Sequence, residues 1–289
     1  MKNFFLFLIF FGTLVFSNFD TSAEVRLPSI LGNHMVLQQK SEVNLWGWCS
    51  PAEMITVKSS WDTTKYKIAG AIWYQGESNT SNYNTYSRLM AKMIGAWRSG
   101  WGNNFPFYFV QIAPFAYGNY NVGALIREQQ TACLSIPKTG MVVVHDLVDD
   151  VHNIHPVKKI EVANRLANLA LSDNYGVKGV VCKYPMYKGM IIEKNRVRIL
   201  FDNVENGLMA TAKDLSEFYI AGSDQKFLFA SARIEGKTVV VWNKAVKEPV
   251  AVRFGFSNTT IPNLFNKEGM PVNLFRTDHW EVKTDAVVK

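Results

Sequence analysis

Between residues 68 and 172 a short apolar run is followed by an amphipathic helical pattern three times over, and this recurrence limits the possible folds more than any other feature. "IAGAIWY" (68–74) precedes residues 81–98, where Tyr83, Tyr86, Met90, Met93 and Trp97 recur at helical spacing. "FPFYFVQIA" (105–113) precedes residues 121–134, with Val122, Leu125, Ile126 and Ala132 predicted to face inward. "GMVVVHDL" (140–147) precedes residues 156–172, whose predicted inward stripe is Ile160, Ala163, Leu166, Ala167, Ala170 and Leu171. Pro156 suits the first position of that helix and Gly176 its stop. Strand–helix alternation of this kind predicts an α/β fold in which helices cover a parallel sheet.

The flanks read differently. In residues 24–67, "EVNLWGW" alternates Val43, Leu45 and Gly47 against Asn44, Trp46 and Trp48. "AEMITVKSSW" sets Met54, Thr56 and Lys58 against Ile55, Val57 and Ser59. Residues 177–289 return to alternation, with Val197, Ile199 and Phe201 on one face. "KTVVVWNKAVKEPVAVRFGFSN" continues the pattern with breaks at Asn243 and Pro249. Both flanks are predicted to be β-rich. No repeat and no low-complexity linker interrupts the chain.

At 48% hydrophobic and 19% charged residues, disorder, a coiled coil and a collagen-like fibre are excluded. The net charge of +7 is spread along the chain with no run of five basic residues, which argues against a nucleic-acid partner. Lys2, the apolar run Phe4–Phe16 and the small residues Thr21-Ser22-Ala23 form the pattern of a secretory signal peptide over residues 1–23. An exported protein with no membrane span after cleavage is expected. Cys49, Cys133 and Cys182 are too few and too widely spaced for a disulfide framework or a metal knuckle, and buried thiols are expected.

In open α/β sheets ligands bind beyond the carboxyl ends of the strands. Three loops here leave such ends: Gln75-Gly76-Glu77-Ser78-Asn79, residues 114–121 and residues 146–155. His145, Asp146, Asp149, Asp150, His152 and His155 crowd the region of the third. A neutral imidazole at His155, just before Pro156, can take a proton from a hydroxyl, with a carboxylate fixing its tautomer. The same residues equally fit a helix-capping or buried structural histidine. A metal site is a third reading, although neither HExxH nor an EF-hand loop is present. In the first loop, Gln75 and Gly76 can offer an amide side chain and a backbone N–H to a developing oxyanion, with Glu77 beside them. A plain polar turn is the alternative.

"AGAIWYQGESNTSNYNTYSRLMAKMIGAWR", "NIHPVKKIEVANRLANLAL", "RLPSILGNHMVLQQKSEVNLWGW" and "NLFNKEGMPVNLFRTD" together resemble the sialate O-acetylesterases, SGNH-type serine esterases. The resemblance implies a partial SGNH/flavodoxin-like parallel sheet with helices, in four segments. These are a signal peptide (1–23), an N-terminal β-region (24–67), a partial esterase domain (68–176) and a C-terminal β-rich domain (177–289). It implies hydrolysis of O-acetyl esters on sialic acids or related acetylated glycans through an acyl-enzyme, with no cofactor and no metal. By position His155 becomes the general base, Gln75 and Gly76 the oxyanion block, and Arg127, in "LIREQQ", a candidate for the sugar's carboxylate.

The family's nucleophilic serine lies in a GQSNM-like block before the WYQGES strand, and this chain has no such block, no GDS and no GxSxG. Lys67 runs straight into Ile68, as though an internal segment were deleted. Ser78 lies in the right loop but reads as a turn hydroxyl. A DxxH spacing puts His152 where the family has Asp, leaving Asp149 or Asp150 to serve His155, or a dyad without an acid. The sequence therefore implies either a weak or inactive catalyst, or a non-catalytic carbohydrate-binding remnant.

Overall fold

The computed structural model describes residues 26–28, 45–49, 55–56 and 68–284. The chain divides into two units, Met1–Lys65 and Tyr66–Lys289. Within the first, Arg26 and Trp48 form an antiparallel bridge, their amides and carbonyls exchanging two hydrogen bonds of 2.8 Å. The rest of the alternating pattern expected over 24–67 lies largely outside the described residues.

The second unit opens with the three strand–helix repeats. Strands β1 (Ala71–Tyr74), β2 (Phe107–Val110) and β3 (Thr139–Val142) form a parallel sheet in that order. Its register aligns Tyr74 with Val110 and Val110 with Val142, so the three carboxyl ends are level. Strand β2 is central and buried at every residue, as an unbroken apolar run requires. Helix α1 (Tyr86–Gly100) buries Tyr86, Met90 and Ile94, and Trp97 packs edge-on against Trp73 of β1. Tyr83, expected on that helix, instead belongs to a 3-10 stretch, Glu77–Thr85. Helix α2 (Val122–Ala132) buries Val122, Leu125 and Ile126, while Ala132 at its last turn is exposed.

Helix α3 (Lys159–Asp173) corrects the sequence reading of its faces. It buries Val162, Leu166 and Leu169, and it starts three residues beyond Pro156. Of the stripe expected inward, only Leu166 is buried; Ile160 is 74% exposed, and Ala163, Ala167 and Leu171 also face out. The helix carries apolar residues on two faces, and a three-stranded sheet is wide enough to cover one. Among the described residues the sheet stops at β1, with no strand paired to its outer side, and Ile72 is 69% exposed.

From Met186 onward the chain is antiparallel. One sheet has the order β4-β5-β10-β9: β4 (Met186–Glu193), β5 (Arg196–Asp202), β9 (Ser231–Glu235) and β10 (Thr238–Trp242). A second has the order β13-β11-β7-β8: β7 (Phe218–Ala221), β8 (Leu228–Phe229), β11 (Ala251–Phe254) and β13 (Phe275–Arg276). Strands β6 (Leu208–Ala210) and β12 (Leu264–Asn266) pair separately. Val197, Ile199 and Phe201 on β5 are buried as their alternation predicts. They share one core with Phe218, Ile220, Val252 and Phe254 of the second sheet. Cys133 and Cys182 are free, buried thiols.

This second core is tied to the parallel sheet by polar bonds. Arg276 donates to both carboxylate oxygens of Glu128 at 2.7 and 2.9 Å, and Asn258 Oδ1 accepts the Gly123 N–H at 2.8 Å. The His145 ring Nε2 lies 3.0 Å from the Val272 carbonyl, and Arg127 donates to the Ser257 carbonyl.

Candidate functional site

The level strand ends bring loops 75–85, 111–121 and 143–158 to one edge of the sheet. The turn after β1 is held by two side chains from α1 and α2. The Gln75 carbonyl accepts a hydrogen bond from the Tyr86 hydroxyl at 2.9 Å and one from Gln130 Nε2 at 3.2 Å. Gln130 is fully buried on α2, and its Oε1 accepts the Ile112 N–H at 2.8 Å. One side chain thus joins the ends of β1 and β2. The sequence placed Tyr86 on the inward stripe of α1 without a site role and did not single out Gln130; a glutamine among the buried residues of α2 was the available signal.

Gly76 has φ +155°, a region that favours glycine. A Cβ there would stand 2.7 Å from Ile112 Cγ2 and 2.9 Å from Gln130 Nε2. The Gly76 carbonyl accepts the Asn79 N–H at 2.9 Å, and the Gln75 side chain donates to Asn79 Oδ1 at 2.7 Å. The Gln75 side chain therefore stabilises its own turn.

Glu77, half-buried, acts on its neighbours through charge. Burial first and then the Glu77 carboxylate push the Tyr74 hydroxyl up to about 12. The same two causes raise Tyr117, whose buried hydroxyl has no hydrogen-bond partner. The first two loops are therefore close neighbours. The second and third are joined by the Ala116 N–H donating to the Val151 carbonyl at 2.8 Å, and Lys159 Nζ sits 5.1 Å from the centre of the Tyr74 ring.

His155 is exposed on the third loop, where its backbone N–H donates to Asn153 Oδ1 at 3.0 Å. Among the described residues no carboxylate lies within hydrogen-bond distance of its ring. Asp149 pairs with Lys158. Asp150 accepts the His152 N–H at 2.8 Å and lies 3.2 Å from its ring, and these bonds hold the Asp150 carboxyl below the usual range. Asp146 makes a two-pronged pair with Arg165 at 2.6 and 2.7 Å. His145 is buried, and desolvation lowers its pKa to about 4, so it is neutral at pH 7. The six-residue His/Asp cluster of the sequence thus separates into a core histidine, two aspartates paired with Arg165 and Lys158, Asp150 hydrogen-bonded to His152, and the exposed His152 and His155.

Arg127 is only 2% exposed and lies on α2, behind the loop edge, with its Nε and Nη1 unpartnered. Among the described residues no three His, Cys, Asp or Glu side chains converge to hold a metal, and no helix is long and apolar enough to cross a membrane.

Residues 48–172 match the family model described as carbohydrate esterase, sialic acid-specific acetylesterase. The sialate O-acetylesterase of Rattus norvegicus is 33% identical over 142 residues, covering 42% of this chain and 26% of the relative. That of Mus musculus is 33% identical over 141 residues with the same coverage. A carbohydrate acetylesterase from Xanthomonas citri, of known crystal structure, superposes with a TM-score of 0.69 at 37% identity, covering 74% of this chain and 51% of that one. The chain therefore spans about a quarter of the curated relatives it matches and about half of the structural neighbour.

Proposed function

We propose that this chain, whose residues 48–172 match the model of the sialic acid-specific acetylesterases, belongs to that family and carries the base and oxyanion half of a site for hydrolysing O-acetyl esters of sialic acids. The observation that supports this reading best is the braced Gln75-Gly76 turn at the same sheet edge as the His155 loop. In an acyl-enzyme route a serine hydroxyl attacks the acetyl carbonyl and gives its proton to the imidazole. The tetrahedral oxyanion is met by the turn, and the sugar hydroxyl leaves with that proton. Water then repeats the sequence and releases acetate. Here His155 is the base, with Asp149 or Asp150 as its acid after a loop movement. Gly76 supplies the backbone N–H, and Gln75 and Glu77 line the turn. Arg127, which the resemblance offers for the sugar's carboxylate, is buried on α2 behind this edge and takes no part in the proposed site. Residues 1–23 direct export, residues 24–67 form the N-terminal β-region, and acetylated sialic acid or a related glycan is the partner.

No nucleophile block is present in this sequence, and Ser78 is an exposed residue of the 3-10 stretch. A site without its nucleophile retains only the effect of binding and oxyanion stabilisation, so turnover falls by several orders of magnitude. The test is acetate release from an O-acetylated sialoside, run beside serine labelling with a fluorophosphonate. Trace turnover that His155→Ala abolishes, with no labelled serine, is expected. Turnover at the rate of a full-length family esterase, or activity unchanged by His155→Ala, refutes the assignment. A second reading, a non-catalytic carbohydrate-binding remnant, is favoured by the missing nucleophile and by Ile72, Val157 and Ile160 exposed on this unit. Glycan binding that survives His155→Ala in the absence of any turnover selects it.

A further inference from the structure

We infer that the cavity between α2 and the C-terminal strands is a binding site for a small organic monoanion, a carboxylate with an apolar body. The cavity has a volume of about 170 Å³. Its wall includes Arg127 from α2, Asn273, and the rings of Tyr187, Phe256 and Phe275. It is separate from the loop edge that carries His155, and the inference does not depend on the esterase reading.

The charge of the ligand follows from the wall. Glu128 and Arg276 also line the cavity, but they neutralise each other through their two-pronged pair. Arg127 is left as one uncompensated cation. Among the described residues no carboxylate pairs with it, and one acceptor, the Ser257 carbonyl, meets its Nη2 while Nε and Nη1 have no partner. Burial lowers its pKa to about 10, so it keeps its charge at neutral pH. Enclosing a cation without an anion is costly, and a bound anion offsets that cost. Asn273, equally buried, holds its Nδ2 on Thr131 Oγ1 at 3.1 Å and leaves Oδ1 unpartnered, ready to accept from a ligand hydroxyl or an accompanying water.

Size and polarity then select among anions. A cavity of roughly 150 Å³ holds a molecule as large as benzene. The rings of Tyr187, Phe256 and Phe275 in the wall favour a hydrocarbon body over a bare halide or a polyhydroxylated acid. Acetate through benzoate spans the fitting range.

The experiment is thermal unfolding of the full chain while chloride is replaced by acetate, propionate or benzoate at constant ionic strength. A saturable rise in Tm is expected, largest for the carboxylate that best fills the cavity. Arg127→Met should lose the rise. Asn273→Asp supplies a fixed internal carboxylate, so it should raise Tm in chloride and weaken carboxylate half-saturation at least tenfold. Calorimetric titration of the wild-type chain together with Asn273→Asp decides the matter if Arg127→Met does not fold. A flat or falling Tm with all three carboxylates overturns the inference. So does a response to them that is identical in the wild type and Asn273→Asp.

Discussion

Replacing Gly76 with alanine probes the part of the candidate site that the structure specifies most closely. The added methyl group has nowhere to go. It would meet Ile112 Cγ2 at 2.7 Å and Gln130 Nε2 at 2.9 Å, and neither neighbour yields easily. Ile112 is buried, and the Gln130 amide is held by bonds to the Ile112 N–H and the Gln75 carbonyl. At φ +155° an L-residue is strained by about 1–3 kcal/mol, and overpacking a tight site adds roughly 1–3 kcal/mol. The expected loss is therefore about 2–6 kcal/mol, a large share of the roughly 5–15 kcal/mol that holds a domain folded. Urea unfolding at pH 7.5 measures it. Gly95→Ala is the matched control: this glycine lies inside α1 with nothing within 4 Å of the added carbon. Relief of glycine's entropy cost there should stabilise the protein by about 0.5–1 kcal/mol. If Gly76→Ala costs under about 0.5 kcal/mol, on the scale of an ordinary surface change, the account of a conformationally locked turn is wrong.

Three further outcomes are expected. His145 has a folded pKa of about 4 against an ordinary value of 6.5, so the unfolded chain takes up its proton first as pH falls. Stability is then complete above pH 6.5 and declines toward pH 4 by at most about 1.4 kcal/mol per pH unit, and His145→Gln should remove this part of the slope in urea titrations. Leu166→Ala should cost about 2–5 kcal/mol, while Ile160→Ala on the outward face of α3 should change stability by less than about 0.5 kcal/mol; equal costs would mean the helix faces are misassigned. Asp146→Ala strands the mostly buried Arg165 guanidinium and should cost about 3–5 kcal/mol by chemical denaturation.

The three apolar runs were sufficient to expect a parallel sheet, because a strand buried on both faces needs an unbroken apolar sequence, and β2 has one. The alternation of Val197, Ile199 and Phe201 likewise announced a half-buried strand. Helix α3 was harder to read: its alanines and leucines make two apolar faces of similar quality, and periodicity alone does not say which one a sheet will cover. The candidate site divides in the same way. The Gln75-Gly76-Glu77 turn was visible as polar residues directly after an apolar run. Its braces, Tyr86 and Gln130, lie 11 and 55 residues away from Gln75 in the chain, and hydrogen bonds of that span leave no local pattern.

Local order along the chain, meaning where strands and helices start and which loops follow strand ends, is written in residue periodicity, since it depends on neighbours within a few positions. The partners that give a polar side chain its role are set by packing between distant segments. Six histidines and aspartates within eleven residues looked like one site. Folding gave them different surroundings, with His145 desolvated beneath Val272, Asp146 fixed by Arg165, Asp149 by Lys158 and Asp150 by His152, and His155 left in solvent. Burial and charge pairing act through space, so they came into being only with the tertiary structure.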